Sequence, residues 1–246
     1  IGKAIAEALA GEGAQVAILG HKQDEADNTA GKIKGAIGIS ADLTKETDAK
    51  KAIDTVVKQL GGVHVLVNVA GGGAKFGTFD DLTDEDWQKD IELNLMSAVR
   101  MVRAVLPVMR KQGWGRIINV ASEDGIQPYP DVPNYACAKA GLLALTKSLS
   151  KLVAKDGILV NTVSPAFVMT PLVERMLKQK AEEDGTDEKK ALENFLKEKR
   201  PNIELKRPGK PEEIAAAVAF LASEKASFIL GANLRVDGGS VPSIGA

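Results

Sequence analysis

The sequence predicts a single α/β domain built on a doubly wound parallel sheet, and three features carry that expectation. Short apolar runs of strand length alternate with longer helical segments along the 246 residues, the pattern of repeated strand-helix-strand units. Residues 63–68 (V-H-V-L-V-N) form a nearly continuous apolar run, as a strand covered on both faces requires. Between residues 49 and 60, Ala49, Ala52, Ile53, Val56, Val57 and Leu60 fall on one helical face, the stripe of a helix lying on such a sheet.

Taken in order, residues 1–10 open inside a helix-forming run with no strand ahead of it, so the first strand is expected to precede Ile1. Residues 15–20 read as the next strand and 36–40 as a third, which ends in Ala41-Asp42-Leu43. Asp42 either begins a turn and caps the next helix or is free to meet a ligand. The strand at 63–68 runs into Val69-Ala70-Gly71-Gly72-Gly73, where missing side chains let a ligand approach the backbone. No Gly-Lys-Ser/Thr follows, so this is not a P-loop. Residues 83–111 read as one long helix capped by Thr83 or Asp84, with Asn94 between Leu93 and Leu95. An amide in such surroundings is costly unless it finds partners. Residues 116–121 form a buried strand that delivers Ser122, and 158–164 another that runs into Pro165-Ala166-Phe167-Val168-Met169-Thr170. Residues 172–207 read as helical and highly charged, broken at Gly185, and suit a solvated face. A helix at 211–223 and a strand and turn at 231–239 complete the chain, and no change in composition marks a second domain.

With 44% hydrophobic and 26% charged residues, the chain can bury a large core. Its net charge of -1 gives no basic field for nucleic acid or an anionic membrane, and no apolar run reaches the length of a membrane span. A small molecule is the expected partner. Cys137 is the sole cysteine, which excludes an internal disulfide and fits a reducing, cytoplasmic location. His21 and His64 lack ligand spacing to each other or to acidic pairs, so no metal is expected.

Tyr135 and Lys139 stand four apart in a helical run and so project from one face. A phenol loses its proton only near about pH 10, and a fixed cation beside it lowers that value. Ser122 sits at the carboxyl end of its strand, where open α/β sheets bind ligands. A hydroxyl, a phenol and an ammonium together suit the movement of a proton to or from a carbonyl or alcohol oxygen while another group moves the hydride. Ser122, Y-A-C-A-K at 135–139 and the helical Asn94 resemble the active site of the short-chain dehydrogenase/reductase family. So do N-V-A-G at 68–71, where the family has N-N-A-G, and V-D-G-G at 236–239. Ile1 and Gly2 match the end of that family's T-G-x-x-x-G-x-G turn, and the resemblance covers essentially the whole chain.

That resemblance implies a Rossmann-type domain over residues 1–246, whose glycine turn begins ahead of Ile1, with residues 172–207 as a lid over the substrate. It assigns cofactor contacts to Ile1, Gly2, His21, Lys22, Asp42, Leu43, Asn68, Ala70, Gly71, Tyr135, Lys139, Pro165, Val168 and Thr170. Asp42 would meet the adenine, and Val168 and Thr170 the carboxamide. Gly20-His21-Lys22 offers no acid for a ribose hydroxyl and two bases for a 2′-phosphate, which favours NADP(H) over NAD(H). Ser122 would bind the substrate oxygen, Tyr135 exchange the proton, Lys139 lower the Tyr135 pKa, and Asn94 hold a relay water. Gln127, Tyr129, Phe167 and Met176 would line the pocket. The implied reaction is hydride transfer between NADP(H) and a secondary alcohol or ketone, with the overall pattern most similar to 3-oxoacyl-carrier-protein reductases. Sugar, polyol and other small-molecule alcohol dehydrogenases share that pattern, and Lys178, Lys180 and Arg207 are too mixed with acids to mark a carrier surface. The Tyr135-Lys139 spacing disfavours enoyl reduction, which uses a wider one. A nucleotide-binding scaffold without catalysis is the reading from another class. Association into a homotetramer or homodimer is expected through the helices around Asn94 and Tyr135.

Overall fold

The computed structural model describes residues 1–72 and 75–244, so Gly73 of the glycine run lies outside the described residues. The elements alternate as expected: α1 (Gly2–Gly11), β1 (Ala17–Gly20), α2 (Gln23–Ala30), β2 (Ile37–Ser40), α3 (Glu46–Leu60) and β3 (Val65–Asn68). There follow α4 (Asp84–Ile91), α5 (Ser97–Gln112), β4 (Gly115–Val120), α6 (Pro133–Val153) and β5 (Ile158–Pro165). The chain closes with α7 (Pro171–Asp184), α8 (Glu188–Lys199), α9 (Pro211–Ala222) and β6 (Asn233–Val236).

Every strand pair is parallel, in the orders β1-β2 and β3-β4-β5-β6. Because successive side chains of a strand point to opposite faces, β4 sends Ile117 into a core with Ile53 and Val56 of α3 and Val105 and Met109 of α5. Its neighbour Ile118 enters a second core with Ile5 of α1 and Ile214, Val218 and Leu221 of α9. The burial of both faces of β4 is thus explained by helices on both sides. Between β1 and β3 lies an apolar groove of about 460 Å³, lined by Ile5, Leu9, Ile18, Leu19, Val65 and Val67 among others. The strand expected ahead of Ile1 would fill a slot of this kind.

Two stretches differ from expectation. Residues 83–111 are two α-helices joined by a π-helical turn, Glu92–Met96. Thr83 caps the first as foreseen, in a reciprocal box with Asp86 that satisfies two free backbone donors. The helical part of residues 172–207 ends at Lys199, because Pro201 lacks the amide and clashes with the preceding turn. The break at Gly185 is as expected, with its φ of 62° in the left-handed region that costs glycine least. Among the described residues no helix is long and apolar enough to cross a membrane.

Ile117 is 1% exposed at the centre of the sheet, so Ile117→Ala is expected to cost about 2–5 kcal/mol. A lower urea midpoint at unchanged slope would show it.

Candidate active site

The carboxyl ends of β1 to β5 meet on one edge of the molecule, and every sequence-predicted site residue lies on the segment leaving one of them or on α1, α5's approach or α6. Ser122 follows β4 by two residues and opens a short turn, Glu123–Gly125. That turn lies directly on α6: a Cβ on Gly125 would come within 2.9 Å of the Lys139 carbonyl carbon and 3.0 Å of the Ala140 nitrogen. Backbone contact of this kind leaves room only for glycine, and it brings Ser122 against the helix that carries Tyr135 and Lys139. Pro133 at the first turn of α6 has its φ already set for a helix start.

Lys139 is 3% exposed, and its Nζ donates to the Val120 carbonyl oxygen at 3.0 Å. The same Nζ lies 5.5 Å from the centre of the Tyr135 ring, so the two side chains share a face as their spacing requires. Burial lowers the Lys139 pKa to about 8, and the charge of Asp124 opposes the shift. Tyr135 moves the other way. Burial pushes its phenol up to about 12, opposed by Ser122 and reinforced by the charges of Asp124, Asp90 and Glu123. The lowering expected from Lys139 is therefore outweighed, since desolvation and three carboxylates favour the neutral phenol.

Asn94 stands in the π turn. Its Oδ1 accepts the Gly72 amide at 2.8 Å, and its Nδ2 donates to the carbonyl and Oδ1 of Asp90 at 3.2 Å each. A Cβ on Gly71 would lie 2.6 Å from Asn94 Oδ1 and 3.1 Å from Lys139 Nζ, which explains the glycine there. Asp90 also accepts a hydrogen bond from Asn134, the residue before Tyr135. Sequence reasoning passed over Asp90, although its spacing of four from Asn94 was a usable signal.

On the cofactor side, Gly2 begins α1, which has no side-chain cap, and lies beside Val69. Ile1 is half-buried next to it, and Ala70 is exposed. His21 and Lys22 are exposed at the end of β1, with Lys22 on Glu25 at 3.0 Å. Asp42 takes the turn role: it accepts the Thr44 amide and hydroxyl at 3.1 and 2.6 Å and pairs with Lys45 at 3.1 Å. These bonds hold its carboxyl down to about 2. Leu43 is half-buried beside it. Asn68 is buried, and its amide donates to Asn119 at 2.8 Å, whose own amide reaches Thr146 of α6 at 2.8 Å. Its side chain therefore ties β3, β4 and α6 together. Pro165 ends β5, Val168 is buried against Gly209, and Thr170 caps α7 through the Val173 amide at 3.3 Å.

Over the substrate side, Phe167 stacks on Phe195 of α8 with ring centres 4.7 Å apart. Arg200 lies 4.0 Å above the Tyr129 ring and 3.8 Å from Glu123. Gln127 donates to the Tyr129 hydroxyl at 3.3 Å, while Met176 is half-buried on α7. Arg200 and Phe195 were missed, because contacts between distant segments leave no local pattern, and Glu123 and Asp124 were passed over although they follow Ser122 directly. Lys180 pairs with Asp184 and Arg207 with Glu213, so two of the three cations weighed for a carrier surface are neutralised.

Residues 1–240 match the family profile described as Enoyl-(Acyl carrier protein) reductase. An uncharacterised oxidoreductase of Bacillus subtilis (strain 168) is 36% identical over 99% of this chain and 93% of its own. D-beta-hydroxybutyrate dehydrogenase of Rhizobium meliloti (strain 1021) is 35% identical over 97% of this chain and 93% of its own. The crystal structure of L-sorbose reductase from Gluconobacter frateurii, complexed with NADPH and L-sorbose, superposes with a TM-score of 0.91 at 34% identity. It covers 98% of this chain and 92% of that one.

Burial pushes the Glu123 carboxyl from its ordinary 4.5 up to about 7. Between those values the folded chain keeps a proton that the unfolded chain releases, so stability falls as pH rises across that window. The urea midpoint is expected to drop between about pH 5 and pH 7.5, and Glu123→Gln should show a smaller drop.

Proposed function

The chain belongs to the short-chain dehydrogenase/reductase family, and on that footing we propose that Ser122, Tyr135, Lys139 and Asn94 run a reversible reduction of a ketone on a small polar molecule. It is an NAD(P)-dependent oxidoreductase. What carries the proposal is the meeting of Ser122 with Tyr135 and Lys139 beside the end of β4.

The nicotinamide cofactor, when bound, supplies or accepts the hydride. The residues present fit it: the uncapped start of α1 beside Val69 offers amides to a phosphate, and the glycine at 71 keeps the loop open beside Lys139. Ile1 and Gly2 would hold the phosphate side, Asp42 and Leu43 the adenine, and Ala70 and Gly71 the middle. Tyr135 and Lys139 would hold the ribose, and Pro165, Val168 and Thr170 the carboxamide. Exposed His21 and Lys22, with no acid at their corner, favour NADP(H).

For a carbonyl, the neutral phenol of Tyr135 is the form that gives a proton, and a pKa of about 12 keeps it neutral at working pH. Ser122 opposes the charge that develops on the substrate oxygen. Lys139, with a pKa of about 8, exchanges protons readily near neutrality and can restore the phenol. Asn94 fixes the glycine loop that borders Lys139, a position suited to a relay water. Residues 172–207 would close over the substrate. The acids Glu123 and Asp124 at the pocket and the paired cations outside it favour a sugar, polyol or similar small alcohol over a carrier-bound acyl chain. Assembly into a homotetramer or homodimer belongs to the same reading, and light scattering counts the copies.

Fluorescence titration with NADPH and NADH is expected to show binding of both, tighter for NADPH; binding of neither would overturn the enzyme reading. Tyr135→Phe should then lower turnover on a ketone by ~10²–10⁴-fold while NADPH still binds measurably in the same titration. Unchanged turnover would remove Tyr135 from the chemistry.

A further inference from the structure

Two carboxylates beside Ser122 take no part in the proton steps of that scheme. Glu123 and Asp124 follow Ser122 directly and are only 2% and 7% exposed. Glu123 has Arg200 before one oxygen at 3.8 Å. Asp124 Oδ2 accepts the Ser122 hydroxyl at 2.9 Å, and Asp124 Oδ1 is buried with no hydrogen-bond partner among the described residues. A buried acceptor is costly to leave bare, and such a group beside reacting atoms marks the place of a missing donor.

We propose that Asp124 determines specificity by accepting a hydrogen bond from a hydroxyl on the carbon next to the reacting one, so that α-hydroxyketones and the matching vicinal diols are the preferred substrates. This deepens the proposed function and rests on the reading of Ser122 and Tyr135 as the pair that binds the carbonyl oxygen. Ser122 has one proton, and in the structure Asp124 holds it, which leaves none for a substrate oxygen. The two oxygens of an α-hydroxyketone lie about one hydrogen-bond length apart, the same spacing as Ser122 Oγ and Asp124 Oδ2. A substrate hydroxyl donating to Asp124 Oδ2 takes the place of the Ser122 hydroxyl there and frees the Ser122 proton to turn onto the carbonyl. A plain ketone offers no such donor, so Ser122 stays bound to Asp124. The turn that carries the carboxylate is held in place, because the following residue, Gly125, is pressed on the backbone of α6.

The test compares 3-hydroxy-2-butanone with 3-methyl-2-butanone, which differ by a hydroxyl in place of a methyl, in the full chain with NADPH. The wild type is expected to favour the hydroxyketone in kcat/KM by at least ~10-fold. Asp124→Asn, of the same shape, frees the Ser122 proton by donating to its oxygen, and should bring the ratio towards one by raising the plain ketone relative to the other. A wild-type ratio near one, or an Asp124→Asn ratio equal to that of the wild type, overturns the proposal. If Asp124 only shapes the turn, both substrates fall together and the ratio stays, which also overturns it. Absence of turnover on every ketone despite NADPH binding overturns the underlying reading of the site, and so is told apart from a failure of the specificity alone.

Discussion

The active edge depends on one buried cation. Lys139 has lost nearly all contact with solvent and, among the described residues, has a single carbonyl oxygen, that of Val120, as its hydrogen-bond acceptor. Desolvating an ammonium so far is unfavourable, and the lowered pKa measures that cost. The bond to Val120 ties α6 to the end of the central strand, the Gly71 backbone passes beside the same nitrogen, and the charge of Asp124 acts on it from the Ser122 turn. Strand, helix and both loops are therefore placed by reference to one side chain. The phenol of Tyr135 inherits its position from that arrangement, since it shares a helix face with the lysine.

Much of this was legible in local sequence because it depends on spacing along one element. The four-residue step from Tyr135 to Lys139, the apolar strand that ends beside Ser122, and the cap at Thr83 all follow from period and residue type. What lay hidden depends on separation. Asn68 reads in the sequence as the end of a strand and a cofactor contact, yet its amide is spent on Asn119, fifty-one residues on, whose own amide reaches Thr146. Arg200 was one of many charges in a solvated stretch until the fold set it over Tyr129. The direction of the Tyr135 shift was hidden for a related reason: spacing reveals the neighbouring lysine, while the three carboxylates come from two other segments, α4 and the Ser122 turn, and the depth of burial from the fold.

The segment around α8 is attached beside the Ser122 turn by contacts of two kinds. Phe167 and Phe195 stack, and Arg200 lies across Tyr129 while facing Glu123. Stacked rings tolerate sliding, whereas a guanidinium against a buried carboxylate is strict in geometry and charge. Residues 200–210, which follow α8, carry no helix of their own, so the position of Arg200 is set largely by these partners. The placing of Arg200 and the charge state of Glu123 are thereby joined at one residue next to Ser122.

The π turn at Glu92–Met96 has a consequence for the length of the chain itself. Each residue of a regular helix advances the direction of a side chain by about 100°, and a π turn holds one residue more than the regular ladder admits. Removing Glu92 or Leu93 would let the ladder close as an ordinary helix and bring Asn94 one place nearer Asp90. Asn94 would then point a quarter-turn or more away from the Gly72 amide and from Asp90, with every hydrogen bond of the helix backbone intact. The helix would be more regular and the glycine loop would have lost its anchor, so at this point the chain counts its residues for the sake of the loop.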